Sequence, residues 1–276
     1  MSAGLFLVLA LAIDSTKTER SMIMKYHFLL IAAVVALQGE IKMVKKQPDE
    51  QAAITIGYIA LIKPIEDFNE TVKLLKKYSD DPAIDCIVLQ IDSPGGSPGN
   101  SQIIADFILW ARETKPVIAF VSGSGTSGAY WVAAACSTII APETALIGSI
   151  GVVSELPKKN PAITFTAGRF KRPHYLAKGV IDPEDAQVIQ ERLNLTFDIF
   201  CENISQLRNI PVETIRNLEA KVLLATQALE VGLIDEIGTL QQVYDTVVDL
   251  VADKKKCLPT LLRVITSPDE CFEFAL

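Results

Sequence analysis

The stretch "PVIAFVSGSGTSGAYWVAAAC" (residues 116–136) decides the fold prediction, because its character changes twice. It begins as an apolar run and continues through residues 121–131, of which eight of eleven are Gly, Ser, Thr or Ala. It ends in an apolar segment rich in alanine. This order predicts a buried strand, a turn of small residues and a helix, a junction at which a serine hydroxyl can be presented to a substrate.

Ser127 is the strongest candidate nucleophile in this stretch. It begins the predicted helix, where unpaired N–H groups and the helix dipole stabilise a developing anion. Gly128 follows it and allows a substrate to approach closely. We interpret Ser122 and Ser124 as turn residues. The pattern is not the G-x-S-x-G elbow of α/β-hydrolases, because Ala129 occupies the position of the second glycine.

Apolar runs alternate with amphipathic segments on both sides of this stretch. Strands are predicted at 54–61, 84–91 and 115–121, and helices at 66–81 and 101–113. Further on, the sequence predicts short strands within 137–153 and at 162–168, a long helix over 182–209, and a helix, a short strand and a helix over 227–256. Strands that alternate with helices predict an α/β protein with a mostly parallel sheet.

A second loop, "DSPGGSPGN" (92–100), follows a predicted buried strand. Loops of this kind cluster at the carboxyl ends of parallel strands, where ligands bind. Its adjacent glycines, Gly95 and Gly96, allow backbone N–H groups to face a ligand, as an oxyanion hole requires. A simple tight turn is the alternative interpretation.

Composition limits the classes of function. The chain has 276 residues, 49% of them hydrophobic, so it can bury a sizeable core. Its net charge of −7 argues against a nucleic-acid partner. Five cysteines without a C-x-x-C pair suggest neither a zinc site nor a disulfide framework, and Cys86 and Cys136 are expected in the core. No metal or nucleotide cofactor is expected.

The chain has only two histidines, His27 and His174, which restricts the choice of a general base. His27 lies in an apolar N-terminal run, and His174 is expected to have a surface or packing role. A lysine can deprotonate serine if its amine is neutral, which burial among apolar groups favours. Lys171 follows Phe170 in a region without acidic residues between Glu155 and Asp182. Three other lysines remain alternatives: Lys158, Lys159 and Lys178.

The first fifty residues contain two apolar runs, 3–13 and 26–37, of about a dozen residues each. Each is shorter than the roughly 20 residues that cross a bilayer, and each fits the apolar part of a secretory signal. We therefore predict a signal anchor or cleaved leader, with a pair of buried or interfacial helices as the alternative. The predicted division is an N-terminal membrane segment and linker (1–50), a catalytic domain (51–256) and a C-terminal tail (257–276).

Five motifs, in this order, resemble the signal peptide peptidase family, also called protease IV. They are "DSPGG" (92–96), "TSGAYW" (126–131), "GSIGV" (148–152), "GRFK" (168–171) and "ALEVGLIDEIG" (228–238). The resemblance covers about residues 54–250 and implies a Clp/crotonase-like fold of repeated β-β-α units. It also implies a serine peptidase with a Ser-Lys dyad.

The resemblance implies a role for each matching residue. Ser127 corresponds to the nucleophile, and Lys171 to the general base. Ser149 corresponds to the serine that helps to hold the lysine amine. Gly95 and Gly96 correspond to the loop that supplies oxyanion N–H groups.

The resemblance also implies partners and a location. Substrates would be peptides such as the remnants of cleaved signal peptides, and a ring oligomer would bring serine and lysine together from neighbouring subunits. The protein would be held at a membrane by its N-terminal segment, with an extracytoplasmic catalytic domain. In this sequence Ala129 and Trp131 replace the family's Gly and Tyr, and only 20 residues separate Gly151 from Lys171.

Two alternatives from other classes of function stay open. A crotonase-like acyl-CoA enzyme would use the same oxyanion loops without a serine nucleophile, but it would normally carry a carboxylate near the second loop, and "GTSGAYW" has none. A catalytically inactive membrane scaffold of the same fold would be compatible with the short segment before Lys171.

Overall fold

A mixed, mostly parallel sheet is the centre of the computed structural model, which describes residues 53–154, 175–176, 180–255, 261–267 and 270–275. The strands are β1 (Ala53–Leu61), β2 (Cys86–Ser93), β3 (Val117–Thr126), β4 (Thr138–Ala141), β5 (Leu146–Gly148), β6 (Tyr175–Leu176), β7 (Val180–Ile181), β8 (Val222–Leu224), β9 (Glu236–Ile237), β10 (Leu261–Ser267) and β11 (Glu270–Ala275). The main sheet has the order β11-β10-β1-β2-β3-β4-β9, and β5 and β8 branch from β3. The predicted α/β class is confirmed.

Seven helices are described between these strands. They are α1 (Asn69–Asp80), α2 (Pro98–Arg112), α3 (Gly128–Ala134), α4 (Pro183–Arg208), α5 (Val212–Asn217), α6 (Ala225–Glu230) and α7 (Leu240–Lys255). Within the ranges that the structure describes, no helix combines the length and the apolar character needed to cross a membrane. The predicted elements at 54–61, 66–81, 84–91, 101–113, 115–121, 182–209 and 227–256 are confirmed with shifted ends, and so are the short strands within 137–153, whereas α5 and β8 were not predicted. The predicted strand at 162–168 and the predicted N-terminal segment, 1–50, lie outside the described residues.

The central strands are buried on both faces, as the near-continuous apolar runs predicted. One face packs against α7, and the other packs against α1 and α2. The first cluster includes Ile54, Ile56, Val88, Val243 and Val247. The second includes Leu75, Ile87, Leu89, Ile104 and Ile108. This packing fixes the carboxyl ends of β2 and β3, from which both candidate loops extend.

The predicted C-terminal tail, 257–276, contains two strands of the main sheet. Strand β10 pairs in parallel with β1, and β11 returns antiparallel to β10. Leu262 and Val264 alternate into the core, while Arg263 donates from Nε to Glu273 Oε1 across the hairpin at 2.8 Å. These residues therefore belong to the sheet rather than extending from it.

Helix α4 begins and ends with the caps that its sequence predicts. The Asp182 side chain accepts a hydrogen bond from the Glu184 amide, and Pro183 occupies the first helical position. At the other end, Asn209 adopts a left-handed conformation that terminates the helix.

Arg208, in the last turn of α4, connects three segments through a largely buried guanidinium. Its Nη2 donates to Asp235 Oδ1 at 2.7 Å, and its Nε donates to Gly232 O at 3.2 Å. Asp235 also accepts a hydrogen bond from the Ile139 amide at 2.7 Å. This ion pair therefore ties α4 to the beginning of β4 and to the segment before β9.

We predict that Asp235→Ala lowers the free energy of unfolding by about 2–3 kcal/mol, because it leaves the Arg208 guanidinium without its carboxylate partner and the Ile139 amide without its side-chain acceptor. Urea denaturation measures the loss. Asp80→Ala, which removes the exposed i,i+4 pair with Lys76, is the control and should cost less than about 0.5 kcal/mol. Equal losses for the two variants would contradict a special role of Asp235.

Candidate active site

Strand β3 has a bulge partway along its length and pairs with an additional strand, β5, beyond it. Ile91 pairs with Val121 and Ser93 pairs with Gly125, so β3 advances four residues while β2 advances two. The extra residues form a bulge, in which Asp92 Oδ1 accepts the Ser124 amide at 2.9 Å. Beyond the bulge, residues 124–126 pair with β5.

This bulge corrects the sequence-based prediction for residues 121–126. We predicted a turn with Ser122 and Ser124 as turn residues, but the strand continues to Thr126. The physical reason is tertiary pairing, since β5 supplies the backbone partners that a run of small polar residues does not reveal. The turn is therefore confined to Ser127.

Ser127 occupies a strained strand-to-helix turn at the start of α3, as predicted. Its φ of 54° and ψ of −129° lie in a region that residues other than glycine rarely adopt. Its N–H donates to Gly148 O at 2.8 Å, and its carbonyl accepts from the Tyr130 amide. The side chain makes no capping hydrogen bond to α3 and is half-buried. The turn at Ser127 is therefore held by its backbone, and its hydroxyl is not used to cap α3.

Helix α3 is short, and every residue in it is buried. Tyr130 donates its hydroxyl to Leu233 O at 2.8 Å, and burial raises the pKa of this phenol. Trp131 stacks on Phe200 of α4 with ring centroids 4.6 Å apart. Trp131 and the fully buried Ala129, the two departures from the family motif, are thus core residues that anchor the helix behind Ser127.

The "DSPGG" loop approaches this turn so closely that side chains would not fit between them. Gly95 has a φ of +94°, and a Cβ atom on it would lie 2.6 Å from Gly128 N and 2.8 Å from Ser127 Cβ. A Cβ atom on Gly128 would lie 3.3 Å from Gly96 N. On its other side, the loop is fixed by Ile65, whose N–H donates to Gly95 O at 2.9 Å. The structure therefore brings Gly95, Gly96, Ser127 and Gly128 together.

The backbone N–H groups in this contact differ in whether they donate a hydrogen bond to another group of the protein. Gly95 donates its N–H to Ser93 Oγ at 3.2 Å. Among the described residues, the N–H groups of Gly96 and Gly128 have no protein acceptor. Two unused amides on facing backbone segments, next to a serine hydroxyl, are the arrangement that can bind an oxyanion.

Ser149 lies next to this turn through a chain of backbone hydrogen bonds. It follows Gly148, the acceptor of the Ser127 amide, and its own N–H donates to Lys221 O at 2.9 Å. Its φ of 51° is again in the left-handed region. The remaining predicted site residue, Lys171, lies outside the described residues. So do the alternative lysines, Lys158, Lys159 and Lys178, and both histidines, His27 and His174.

Burial makes the thiolate form unfavourable for two other candidate nucleophiles of the described core, Cys136 and Cys201. Burial raises the pKa of the Cys136 thiol to about 12 and that of the Cys201 thiol to about 11. Cys86 and Cys136 are buried, as predicted. In the part of the chain that the structure describes, no three His, Cys, Asp or Glu side chains are grouped as a metal site requires.

Two buried polar residues of this site were not singled out from the sequence. Ser93 follows Leu89 and Ile91 at inward-facing positions of β2, and Ser101 lies three residues before Ile104 on the buried side of α2. A serine at an inward-facing position was the available signal, but a serine in a Gly/Pro loop usually only stabilises a turn.

Comparison with known proteins adds a family. Residues 111–254, about half of the chain, match the model described as Peptidase family S49. The chain is 29% identical over 250 residues to the chloroplastic serine protease SPPA of Arabidopsis thaliana, an alignment that covers 86% of this chain. It is 28% identical over 196 residues to Protease 4 of Haemophilus influenzae, covering 66% of this chain.

A viral protein is similar to the same degree. Capsid assembly protease C of Escherichia phage lambda is 27% identical over 177 residues, which is 62% of this chain. The chain spans only a part of these relatives: 35% of the Arabidopsis protein, 31% of the Haemophilus protein and 40% of the phage protein. The similarity is therefore one of a shared segment.

We predict that Gly95→Ala destabilises the protein by about 2–4 kcal/mol, because a side chain at this φ is strained and would meet the Gly128 amide. Gly99→Ala is the matched control, since a Cβ atom there meets open space on α2 and a helical Gly→Ala change is neutral or stabilising. Thermal and urea unfolding compare the two variants. Similar stabilities would mean that the close approach at Gly95 is not required.

Proposed function

Because this chain belongs to peptidase family S49, we propose that it is a serine endopeptidase with Ser127 as nucleophile and Lys171 as general base. The observation that carries the proposal is the strained turn at Ser127, which lies beside two amides, of Gly96 and Gly128, that have no acceptor among the described residues. A turn under strain is retained when the surrounding structure requires it, and such turns are concentrated at active sites.

In the proposed mechanism, Ser127 Oγ attacks the carbonyl carbon of a peptide bond while Lys171 takes the hydroxyl proton. The negative charge that develops on the carbonyl oxygen is stabilised by the N–H groups of Gly96 and Gly128. Collapse of this intermediate breaks the C–N bond, and the leaving amine takes the proton back from Lys171. Water then attacks the ester on Ser127 by the same path and releases the acid.

This assignment of amides modifies the one expected from the motif. The resemblance implied Gly95 and Gly96 as the donors, but the Gly95 amide already donates to Ser93 Oγ. Gly128 supplies the second donor in the present proposal, because its amide begins α3 and adjoins the nucleophile. Gly95 then contributes through its lack of a side chain.

The proposed base must be a neutral amine at the working pH. Lowering a lysine pKa from about 10.4 to near 7 requires roughly 5 kcal/mol of burial and dipole effects. Ser149 is proposed to accept or donate a hydrogen bond at that amine, since its backbone is held one residue from the Ser127 partner Gly148. Activity should accordingly rise with pH as Lys171 loses its proton.

A covalent probe of the fluorophosphonate type tests the dyad. We predict that Ser127→Ala abolishes labelling and that Lys171→Ala slows it by at least about 100-fold, the usual weight of a general base. Ser124→Ala and Lys221→Ala are the matched controls, because both residues lie near the turn and neither has a role in the mechanism.

Each result has a distinct meaning. Labelling that survives Ser127→Ala would contradict the nucleophile, and a loss with Lys221→Ala instead of Lys171→Ala would contradict the base. A collapse caused by His174→Gln would indicate a Ser-His mechanism. An acyl-CoA enzyme or an inactive scaffold of this fold would not be labelled at Ser127 in any variant.

We further propose that the substrates are cleaved signal peptides or other apolar peptides at a membrane, and that the protein acts as a ring oligomer. The support is the resemblance in motif order and the apolar runs within residues 1–50, which would anchor an extracytoplasmic catalytic domain that includes β10 and β11 as well as the predicted range 51–256. The full chain should resist carbonate extraction from membranes, and a chain lacking residues 1–50 should not. A monomeric preparation with full peptidase activity would contradict the requirement for assembly.

A further inference from the structure

Ser93, at the end of β2, forms two hydrogen bonds that hold the "DSPGG" loop (residues 92–96, the glycine loop) in place. Its side chain is completely buried. Its hydroxyl donates to Lys63 O at 2.7 Å and accepts the Gly95 N–H at 3.2 Å. Lys63 belongs to the segment that follows β1, and Gly95 belongs to the glycine loop. This one hydroxyl therefore fixes the loop to that segment.

Ser101, in the first turns of α2, holds the other end of the same loop. It is also completely buried, and its hydroxyl donates to Ser97 O at 2.9 Å. The same oxygen lies close to the backbone of Gly128, since a Cβ atom added to Gly128 would lie only 2.2 Å from it. Ser101 therefore lies between the glycine loop and the first residue of α3.

We propose that Ser93 and Ser101 are positioning residues that set the distance between the Gly96 and Gly128 amides for oxyanion binding. This inference rests on the proposed peptidase function. Neither hydroxyl reaches solvent, and each bonds to backbone within or beside the glycine loop, so neither contacts substrate. Two adjacent glycines have little intrinsic preference for one conformation, and the fixed conformation must come from such neighbours.

The expected effect is a selective loss in the transition state. A displaced donor weakens binding of the oxyanion but not of the uncharged peptide, so kcat should fall while KM changes little. We predict a decrease of about 10- to 100-fold in kcat for Ser93→Ala and for Ser101→Ala, less than or comparable to the loss of a whole oxyanion donor.

A pair of inhibitors separates positioning from a purely structural role. A peptide aldehyde forms a hemiacetal with Ser127, and the hemiacetal oxygen would accept hydrogen bonds from the Gly96 and Gly128 amides. The corresponding peptide alcohol cannot form this adduct. In both serine variants, the inhibition constant of the aldehyde should rise about 10-fold or more while that of the alcohol stays within about twofold. Ser93→Thr, which retains the hydroxyl, should recover most of the aldehyde affinity.

Ser79→Ala is the control for loss of a buried serine hydroxyl. Ser79 lies in α1, is buried, and among the described residues its hydroxyl has no hydrogen-bond partner. This variant should keep both inhibition constants. Circular dichroism establishes that each variant is folded, and if Ser93→Ala does not fold, Ser101→Ala and Ser93→Thr carry the test.

The inference is overturned if the serine variants weaken aldehyde and alcohol equally, or weaken neither. Failure of the underlying function has a different signature: the unmodified protein would cleave no peptide and would bind aldehyde and alcohol alike. The two failures are thereby distinguished in one set of measurements.

Discussion

The close approach of two backbones, at Gly95 on one side and Thr126–Gly128 on the other, is the constraint on which the rest of the site depends. At Gly95 a Cβ atom would meet Thr126 O at 2.7 Å as well as the Gly128 amide. Only glycine fits there, and the φ of +94° also favours glycine. Because the loop is held this closely, the amides of Gly96 and Gly128 have fixed neighbours beside Ser127.

Ser127 is one of several residues in adjoining turns that have a positive φ. Gly148, which accepts the Ser127 amide, has a φ of 98°, and Ser149 after it has a φ of 51°. Ser149 in turn donates to Lys221 O, next to Ala220 with a φ of 56°. Non-glycine residues in this region cost about 1–3 kcal/mol each, so the core must hold them in place. Helix α3, fixed through Trp131 on Phe200, is part of that support.

The sequence predicted structure that depends on neighbouring residues better than structure that depends on pairing between distant segments. Ser127 was located because a change from apolar strand to small residues to helix is visible in a short window. The end of β3 was not, because Ser124, Gly125 and Thr126 look like a turn unless their partner β5, some 20 residues later in the chain, is known. Likewise β10 adds to the sheet through parallel pairing with β1, and no local pattern links residues 53 and 261.

The different use of the Gly95 and Gly96 amides also could not be predicted from the sequence. Gly95 and Gly96 are adjacent and look equivalent, but the Ser93 hydroxyl takes the amide of Gly95. That distinction depends on a buried side chain whose position follows from the register of β2 against β3. The resemblance to a family pointed to this loop, and the structure shows that the Gly96 amide, unlike that of Gly95, has no acceptor among the described residues.

A structure of the protein bound to a peptide boronate tests the central claim most directly. The account predicts a covalent bond from boron to Ser127 Oγ, with one boronate oxygen within about 3.1 Å of both Gly96 N and Gly128 N. Lys171 Nζ should lie within hydrogen-bond reach of Ser127 Oγ. Boron bonded to another residue, or bonded to Ser127 with both oxygens turned away from these amides, would contradict it.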